Sequence, residues 1–403
     1  MRTLCFCNSN IPWGGGEKWH LEAALALAAR GWRVLFLCHP AGELYRRLRH
    51  RPEIQTLPLA LGRLSFLNPF TRIRLARFFK REGVDALIMN LPADLKAAGP
   101  AAKAAGVRQI VYRRGSALPV RDSLLNRRLY GRVITRLIVN SEATRRQVLI
   151  NNPALIPAER ISVLPNGLDV AAFDAALLAA GPRPEAPPGG RRFLMGNAGR
   201  LNRQKGQHLL LHLCRRLLDA GLDCGVVIAG TGEREAELKE LAASLELGDR
   251  AAFPGFLDDL SPFWRDIDVF VLTSLWEGFG MVIIEAMLAR RPVFAFAVSN
   301  IPELVFEGGP GVAGNGRLFP LPEEELPHCP DAGDFSMIGP AVLSSSGQRP
   351  YVALDRMVEA VLALADEPEV AGRMGEAGRR FALRFSQDAC MDRLEDILGA
   401  VSK

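Results

Sequence analysis

The sequence predicts an α/β protein with two doubly wound domains in tandem, each a parallel sheet with helices on both faces. Three observations indicate this fold class. Short apolar runs alternate with helical patterns, the alternation breaks near residue 180, and it then starts again. Such alternation is typical of βαβ units and parallel sheets. A chain of 403 residues is also long enough to form two domains, each with a core of its own.

The first half contains six strand-like runs, each beside a segment of helix length. They are TLCFCNS at 3–9, RVLFLCH at 33–39, ALIMN at 86–90, QIVYR at 109–113, RLIVNSE at 136–142 and ISVLPNG at 161–167. The helix EKWHLEAALALAARG follows the first strand. Cys5 and Cys7 alternate along that strand, so they are expected to be small buried apolar residues rather than metal ligands.

The second half repeats this organisation after GPRPEAPPGGRR at 181–192, whose Pro and Gly content predicts a linker. Strands and helices are expected in the order FLMGNAGR, helix 206–220, CGVVIAG, helix 233–245, AAFPGF, VFVLTS, helix 282–290 and PVFAFA. The segment 321–350 has weak periodicity and predicts an irregular insertion. Ligands of such sheets bind beyond the carboxyl ends of the strands, so the expected site is a cleft between the domains.

Composition and charge narrow the classes of function. Hydrophobic residues make up 48% and charged residues 23%, as in soluble globular proteins. Residues 1–180 carry 27 basic against 12 acidic residues, whereas residues 181–403 carry 23 against 32, so the first half is the basic one. No apolar run is long enough for a spanning helix, and the N-terminus lacks the pattern of a signal peptide. The expected location is the cytoplasm.

Two glycine-containing turns are candidate anion sites. Gly14, Gly15 and Gly16 follow the first strand and open the first helix, which lets backbone N–H groups approach an anion. The pattern is not G-x-G-x-x-G, so a dinucleotide site is disfavoured and a plain tight turn is the alternative. In GRLNRQKG, Arg200 and Lys205 flank a second strand-to-helix turn, and two cations at a helix start suit a diphosphate.

Two carboxylates lie in the apolar segment LWEGFGMVIIEAM, at Glu277 and Glu285. Acidic residues are rare in such runs unless they are paired or bind something. One use of two carboxylates is hydrolase-type catalysis on either side of a glycosidic bond. Their position beside the turn with Arg200 and Lys205 favours the holding of one ligand instead.

These stretches occur in a recognisable order: VLPNGLDVAAF, GRLNRQKG, IAGTGEREAELKELA, FPGFLDDL and LTSLWEGFGMVIIEAMLARRPVFAFAVSNIPELV. Together they closely resemble the retaining glycosyltransferases of family 4, strongly over 160–310 and more loosely through GGGEKW. The resemblance implies the GT-B fold, with two Rossmann-like domains facing a cleft. It also implies an acceptor domain at 1–180, a donor domain at 181–383, and a final helix at about 384–403 that crosses back to the first domain.

The resemblance also implies roles for individual residues. Arg200, Lys205 and Glu277 would be the catalytic residues: the two cations would bind the donor diphosphate and steady the leaving group, and Glu277 would hold the transferred sugar. Glu285 would accept hydrogen bonds from the ribose. The further donor contacts that it implies are the backbone of Gly278, Phe279 and Gly280, the turn at Pro254, and the loop glycines Gly15 and Gly16.

The implied chemistry is transfer of a sugar from a nucleotide-diphosphate donor, with UDP as the expected nucleotide. Bond breaking puts negative charge on the diphosphate, and fixed cations with helix amides can stabilise it. The expectation is therefore a metal-independent enzyme without a cofactor. Other candidates on the same two-domain plan are a sugar-nucleotide epimerase, a phosphorylase and a catalytically silent sugar-binding subunit. A phosphorylase would need a pyridoxal lysine, and nothing in the sequence singles one out.

The chain departs from the family pattern at two places. Many relatives have a histidine where QIVYRRGSALP places Arg113 and Arg114, and a cation there suits donor sugar, phosphate or an anionic acceptor. Glu17 is a further candidate for acceptor or sugar contact. Relatives also have Gly where EAMLARRPV has Arg290, a change expected to affect a helix end rather than catalysis.

The basic first half suggests the kind of acceptor. The segments TRIRLARFFKR and RDSLLNRRLYGRVITRL mix arginine with large apolar residues at helical spacing. Such faces are typical of peripheral contact with an anionic bilayer, here the cytoplasmic face of the inner membrane. An ordinary solvated helix is the alternative. A lipid-linked or lipopolysaccharide-type acceptor would fit, whereas nucleic acid is disfavoured because no aromatic residues alternate with the basic ones.

Overall fold

The computed structural model describes most of the chain. The described ranges are 2–62, 64–185, 190–309, 312–321 and 352–399. The irregular insertion predicted at 321–350 lies outside the described residues except for its first residue, and so do residues 186–189 of the predicted linker.

The chain forms two compact units, each described here by itself. Unit 1 comprises Met1–Gly167 and Gln387–Lys403, and unit 2 comprises Leu168–Ser386. The units therefore divide after residue 167 rather than after 180. The reason is that the helix at 170–179 turns Phe173 and Leu177 onto the core of unit 2.

Unit 1 is built on a seven-stranded parallel sheet with the order β3-β2-β1-β4-β5-β6-β7. Its strands are β1 Thr3–Asn8, β2 Arg33–Cys38, β3 Ile54–Pro58, β4 Ala86–Met89, β5 Gln109–Arg114, β6 Arg136–Val139 and β7 Ile161–Val163. Its helices are α1 Gly15–Ala29, α2 Glu43–Leu48, α3 Pro69–Arg81, α4 Pro92–Ala105, α5 Leu124–Arg128, α6 Glu142–Leu149 and the final helix α15 Gln387–Gly399. A short 3₁₀-helix at Ser65–Leu67 precedes α3, and a π-helix at Leu129–Val133 continues α5.

Unit 2 has a six-stranded parallel sheet with the order β10-β9-β8-β11-β12-β15 and a separate hairpin, β13-β14. Its strands are β8 Phe193–Ala198, β9 Cys224–Ala229, β10 Ala251–Gly255, β11 Val269–Leu272, β12 Val293–Phe296, β13 Gly308–Gly309, β14 Val312–Ala313 and β15 Gly316–Phe319. Its helices are α7 Val170–Ala179, α8 Gln207–Asp219, α9 Glu235–Ser244, α10 Ser261–Asp266, α11 Met281–Leu288, α12 Ile301–Leu304, α13 Val352–Asp366 and α14 Pro368–Ala382.

The predicted fold class, two parallel-sheet α/β domains, is confirmed. Strands β1, β4, β11 and β12 are buried at every residue, as expected for inner strands of a parallel sheet with both faces covered, whereas the edge strands β3 and β10 have exposed residues. In β1, Leu4 and Phe6 enter one core layer while Cys5 and Cys7 enter the other. Both cysteines are fully buried, and burial raises the pKa of each thiol, so they act as small apolar residues as predicted.

The chain returns to unit 1 through its final helix. Helix α15 buries Cys390, Met391, Leu394 and Leu398 in the core layer that contains Leu4 and Phe6. The expected crossing of the last helix back to the first unit is therefore present, with the division at 386/387 rather than at about 384.

The departure at Arg290 affects a helix end. Arg290 follows the last residues of α11 and has a φ of 58°, the left-handed conformation in which helices commonly end on glycine. Its guanidinium Nε lies 2.6 Å from Glu376 Oε1, and no distortion of the strand that follows is seen, since Val293 pairs in register with Gly316. The side chain thus anchors α11 to α14.

No helix among the described residues has both the length and the apolar content that crossing a membrane requires.

Asp94, at the start of α4, should make the stability of unit 1 depend on pH. Its carboxyl is fully buried and accepts hydrogen bonds from the Ser9 hydroxyl (2.6 Å) and the Leu91 N–H (3.1 Å). Burial outweighs these contacts and raises the pKa of Asp94 to about 7. An unfolded aspartate has a pKa of about 3.9. The protonated carboxyl therefore favours the folded state fully below about pH 4, and this stabilisation is lost as the pH rises through about 7.

Asp94→Asn removes the ionisable group and should therefore flatten the pH dependence. Relative to wild type, the midpoint of thermal unfolding of the variant should rise between pH 5 and pH 8. Asp122→Asn is the control, because Arg127 lowers the pKa of Asp122 to about 2, far below this window. Parallel profiles for wild type and Asp94→Asn would contradict the assignment.

Candidate functional site

A cavity of about 500 Å³ lies in unit 2 at the carboxyl ends of four neighbouring strands, β10, β9, β8 and β11. Residues that directly follow these strands form most of its wall, and the first turns of α11 form the rest. The lining residues are Ala198, Gly199, Arg200, Lys205, Ala229, Gly230, Thr231, Phe256, Leu257, Leu260, Glu277, Gly280, Met281, Val282 and Glu285. This edge of a parallel sheet is where ligands of doubly wound folds bind.

Five of the residues predicted for the donor site line this one cavity: Arg200, Lys205, Glu277, Gly280 and Glu285. Arg200 is exposed, Lys205 and Glu285 are half-buried, and Glu277 is buried. Residues from two separate turns of the chain are thus brought together around one space. The cavity combines two cations, two carboxylates and a helix N-terminus.

Lys205 and Glu277 form the central contact of this cavity. Lys205 Nζ lies 2.6 Å from Glu277 Oε1, and the Ser274 hydroxyl donates to the same oxygen at 2.6 Å. The side chains are 15% and 5% exposed, so both charges are largely removed from water. Charges buried to this extent are stable only when they are paired and hydrogen-bonded.

The turn that carries Lys205 is held by local contacts. The Asn202 side chain accepts a hydrogen bond from the Lys205 N–H at 3.2 Å, and Gln204 binds the carbonyl oxygen of Trp276 at 3.0 Å. Gly206 follows with a φ of 60°, and a Cβ there would lie 2.2 Å from the carbonyl oxygen of Thr273. Only glycine therefore allows the turn to approach β11 closely enough for Lys205 to meet Glu277.

The loop between Glu277 and α11 is held from the other side by Ser299 and Asn300. The Glu277 N–H donates to the Ser299 hydroxyl at 3.1 Å, and the buried Asn300 amide donates to the Phe279 carbonyl at 2.7 Å. Ser299 has a φ of 53°, an unfavourable conformation for a non-glycine residue and one that often marks functional sites. Gly280, with a φ of 80°, then begins α11.

Three predicted donor contacts do not line the cavity. Phe279 turns its ring into the core of unit 2, 5.9 Å from the Phe385 ring, so only its backbone lies in the loop. Gly278 lies beside it in the loop, and Pro254 is exposed on β10. Beyond Pro254, Phe256 and Leu257 line the cavity instead.

The predicted residues of unit 1 lie at the carboxyl edge of its own sheet. Gly15 begins α1 with open space around it, whereas a Cβ at Gly16 would lie 2.8 Å from the Asn90 side chain. Glu17 is buried, and its Oε1 accepts hydrogen bonds from the amides of Asn8 (3.3 Å) and Asn90 (3.4 Å). The glycine turn therefore brings α1 close to the ends of β1 and β4.

Arg113 is a buried cation at the end of β5. It is 2% exposed, donates to Asn166 Oδ1 at 2.6 Å and stacks on the Trp19 ring at 4.2 Å. Among the described residues, its Nε and Nη1 have no hydrogen-bond partner, and burial lowers the pKa of Arg113 to about 9, with Glu17 opposing the shift. Its neighbour Arg114 is half-buried and donates to the carbonyl oxygen of Leu118.

Several residues of the cavity in unit 2 were not predicted. Four of them have residue types that are common at any surface or core position, and only their place after the ends of strands could have indicated them: Thr231, Phe256, Leu257 and Leu260. Ser274 supports the site through a local contact with Glu277, and Ser299 and Asn300 support it through contacts with residues more than twenty positions earlier. No sequence pattern signals those contacts.

Two sequence models of protein families match the chain. The model described as Glycosyl transferases group 1 matches residues 183–325, and the model described as Glycosyltransferase Family 4 matches residues 13–172. Together they cover most of the chain, with one family in each half.

A curated relative is the lipopolysaccharide core biosynthesis mannosyltransferase LpsB of Rhizobium meliloti (strain 1021), 39% identical over 119 residues. The match covers 28% of this chain, and the chain spans about a third (34%) of that relative's length. Among solved structures, Anabaena Alr3699/HepE in complex with UDP and glucose has a TM-score of 0.72 at 19% identity, covering 99% of this chain and 100% of the other. The lipopolysaccharide outer core galactosyltransferase WaaB in its apo form has a TM-score of 0.68 at 15% identity, with 99% of each chain covered.

The two parallel sheets, with a cavity at the carboxyl edge of the second that two cations and two carboxylates line, define a protein of the GT-B class. The family matches are more specific than the fold. The chain belongs to the group 1 glycosyltransferases, in glycosyltransferase family 4.

Gly206→Ala should test the geometry of the cavity. The added Cβ would overlap the Thr273 carbonyl oxygen. The left-handed backbone conformation itself also costs roughly 1–2 kcal/mol for any residue with a Cβ. The free energy of unfolding in urea should fall by about 2 kcal/mol more than in Gly221→Ala. Gly221 is the matched control because it also has a positive φ, of 91°, but nothing within 4 Å. Equal losses in the two variants would show that the close approach is unimportant.

Proposed function

We propose that this chain is a retaining, metal-independent glycosyltransferase that moves a sugar from a nucleotide-diphosphate donor, UDP-sugar in the first instance, to an envelope glycan or lipid-linked acceptor. The observation that carries the proposal is the meeting of Arg200, Lys205, Glu277 and Glu285 in one cavity. Its volume, about 500 Å³, is within the range of roughly 300–1,000 Å³ typical of small-molecule sites.

Charge decides how a donor would lie in this cavity. The diphosphate carries the negative charge, so it is assigned to Arg200, Lys205 and the N-terminus of α11, where Gly280 and Met281 line the wall. As the glycosyl–phosphate bond breaks, charge builds up on the leaving diphosphate. Cations and amides fixed in advance stabilise that charge without reorganisation, which is the role that a metal ion has in other transferases.

The carboxylates suit the hydroxyl-rich parts of a donor. Glu285 lies one turn into α11 and is assigned to the ribose, since a carboxylate accepts from two neighbouring hydroxyls. Glu277 is assigned to the transferred sugar. The apolar wall of Phe256, Leu257 and Leu260 would then face the nucleobase, with the exposed Phe256 ring available for stacking.

UDP as the nucleotide and an envelope acceptor rest on the relatives. A structure similar in fold holds UDP and glucose, and the names of a sequence relative and a second similar structure refer to lipopolysaccharide core synthesis. The acceptor is assigned to unit 1, where Glu17, Arg113 and Arg114 are the candidate contacts. The unpartnered Nε and Nη1 of Arg113 favour an acceptor or donor group with negative charge.

The other candidates on this fold have less support. The lysine that lines the cavity, Lys205, is held in an ion pair with Glu277, which does not suit a pyridoxal Schiff base. A silent subunit would not need three buried or half-buried charges, Lys205, Glu277 and Glu285, around one space. Incubation with UDP-, GDP- and ADP-sugars, followed by nucleoside-diphosphate release, distinguishes a transferase from an epimerase, which isomerises the sugar instead.

Lys205→Ala should lower turnover by at least two orders of magnitude, because it removes a cation from the leaving group. The measurement is the slow release of nucleoside diphosphate from the preferred donor. It is made with and without EDTA, because turnover of the wild type should not change when metal ions are removed. Arg203→Ala is the matched control: it removes an exposed cation two residues away that does not line the cavity. Folding of both variants is checked by circular dichroism. Near-normal turnover of Lys205→Ala would contradict the phosphate role.

Glu285→Gln should weaken nucleotide binding with little effect on turnover at saturation. Loss of a charged acceptor for hydroxyl hydrogen bonds costs about 1.5–3 kcal/mol, so calorimetry should show a Kd for UDP raised roughly tenfold or more. The 2′,3′-dideoxy analogue of UDP should bind wild type and variant alike. If the analogue still discriminates between them, Glu285 does not bind the ribose.

A further inference from the structure

A second cavity, of about 670 Å³, lies in unit 1. We call it the basic groove. It is bounded by the 3₁₀-helix before α3, the first turn of α3, α4 and the helical segment 124–133. Its lining residues are Phe66, Arg72, Lys96, Pro100, Lys103, Ala104, Leu124, Leu125, Arg127, Arg128, Leu129, Arg132 and Val133.

The basic groove has six cations and no carboxylate among its lining residues. Of these cations, Arg127 is paired with Asp122 at 2.5 Å, and Lys103 donates to the carbonyl oxygen of Arg132. Within the part of the chain that the structure describes, Arg72, Arg128 and Arg132 have no carboxylate partner. The groove therefore presents uncompensated positive charge, which favours a polyanionic surface or ligand.

The charge extends beyond the groove along α3. This helix contributes five cations and no acidic residue, and its buried face is limited to Leu75 and Phe79. The cations of α3 are Arg72, Arg74, Arg77, Lys80 and Arg81. All five are exposed, and since Arg81 is paired with Glu82 at 2.9 Å, the other four add to the potential on this side of unit 1.

Large apolar side chains stand beside these cations with nothing covering them. Phe70, at the start of α3, is 80% exposed, and Leu124, at the start of α5, is 84% exposed. Leu64 and Leu67, next to Phe66 of the groove, are exposed as well. An isolated exposed leucine is ordinary, but several in adjoining segments indicate an interaction surface.

We propose that the basic groove and the apolar side chains around it form a docking surface for an anionic lipid bilayer. The lipid phosphates would occupy the groove and contact Arg72, Arg128 and Arg132. Phe70 and Leu124 would enter the boundary between headgroups and acyl chains, as the apolar faces of interfacial helices do. Docking on this surface does not depend on the transferase activity, since none of these residues belongs to the proposed donor or acceptor site.

The apolar component distinguishes a bilayer from a nucleic acid. Protein–nucleic acid interfaces are polar and bind phosphates with cations and polar groups. An uncovered phenylalanine and three uncovered leucines among arginines would remain in water on such a partner. On a bilayer, the same side chains leave water while the arginines keep their phosphate contacts.

Sedimentation with lipid vesicles tests the proposal directly. The full chain is mixed with vesicles of phosphatidylcholine alone or with 30% phosphatidylglycerol, at low and high salt. Wild type should bind the anionic vesicles, and binding should weaken as the salt concentration rises. Equal binding to neutral and anionic vesicles, or binding to neither, would overturn the proposal.

Two pairs of matched variants separate this surface from general charge and hydrophobicity. Arg128→Glu with Arg132→Glu should weaken binding to anionic vesicles roughly tenfold or more, because each cation near an anionic surface contributes to the binding. Arg356→Glu with Arg380→Glu makes the same change of charge at exposed positions of unit 2 and should have little effect. Leu124→Ser should weaken binding, whereas Leu178→Ser, at a position 83% exposed in unit 2, should not.

Further measurements complete the test. Nucleoside-diphosphate release from the donor should be the same in Arg128→Glu/Arg132→Glu as in wild type, so failure of docking and failure of the transferase proposal are distinguishable. A fluorescent single-stranded oligonucleotide is the competing polyanion. If it binds through Arg128 and Arg132 while vesicles do not, the surface serves nucleic acid and the bilayer proposal is wrong. Equal loss of vesicle binding in the control variants would also overturn it.

Discussion

The ion pair between Lys205 and Glu277 is the contact on which the arrangement of the cavity depends. It joins the turn after β8 to the loop after β11, two segments that are far apart in the sequence and that have no other charged contact across the cavity in the described residues. Burial of both charges has a large desolvation cost, and hydrophobic residues of similar volume would often be as stable. The pair is therefore better explained by a ligand that uses these charges than by stability.

The same contact has a consequence for ligand binding. A bound diphosphate would draw Lys205 toward its own oxygens, and Glu277 would then accept hydrogen bonds from the hydroxyls of the sugar. Ser274 already donates to Glu277 Oε1, so the carboxylate keeps one fixed donor during such an exchange. Each charged group is thus held in place before the donor arrives, which lowers the cost of organising the site.

The sequence was sufficient to predict the fold class, and five of the residues singled out from it meet in one cavity, because both outcomes depend on short-range patterns. Parallel strands expose their carboxyl ends at one edge, so polar residues after strands, such as Arg200, are brought to one place. The strand β3 and the hairpin β13-β14 were not among the predicted elements. Strand β15 was not predicted either. The edge strand β3 has no continuous apolar run, each hairpin strand has two residues, and the edge strand β15 begins with Gly316 and Arg317.

What could not be predicted depends on contacts between distant residues. Ser299 and Asn300 hold the loop at Glu277 through two hydrogen bonds, and neither residue type nor spacing indicates this. The burial of Arg113 against Trp19 is a similar case, since a sequence shows a cation but not whether it is solvated. The division at 167/168 also depended on packing, because the side chains of α7 face a core formed by later residues.

The base of the cavity is formed by backbone rather than by side chains. A Cβ at Gly230 would lie 2.0 Å from the carbonyl oxygen of Gly199, so two strand ends nearly touch beneath the ligand space. A side chain cannot be added at Gly230 without moving this backbone, whereas the rim consists of side chains, of which Phe256 is exposed and Leu257 and Leu260 also pack against the core of unit 2. Attempts to redesign the donor preference of this scaffold should therefore diversify the rim and leave the floor untouched.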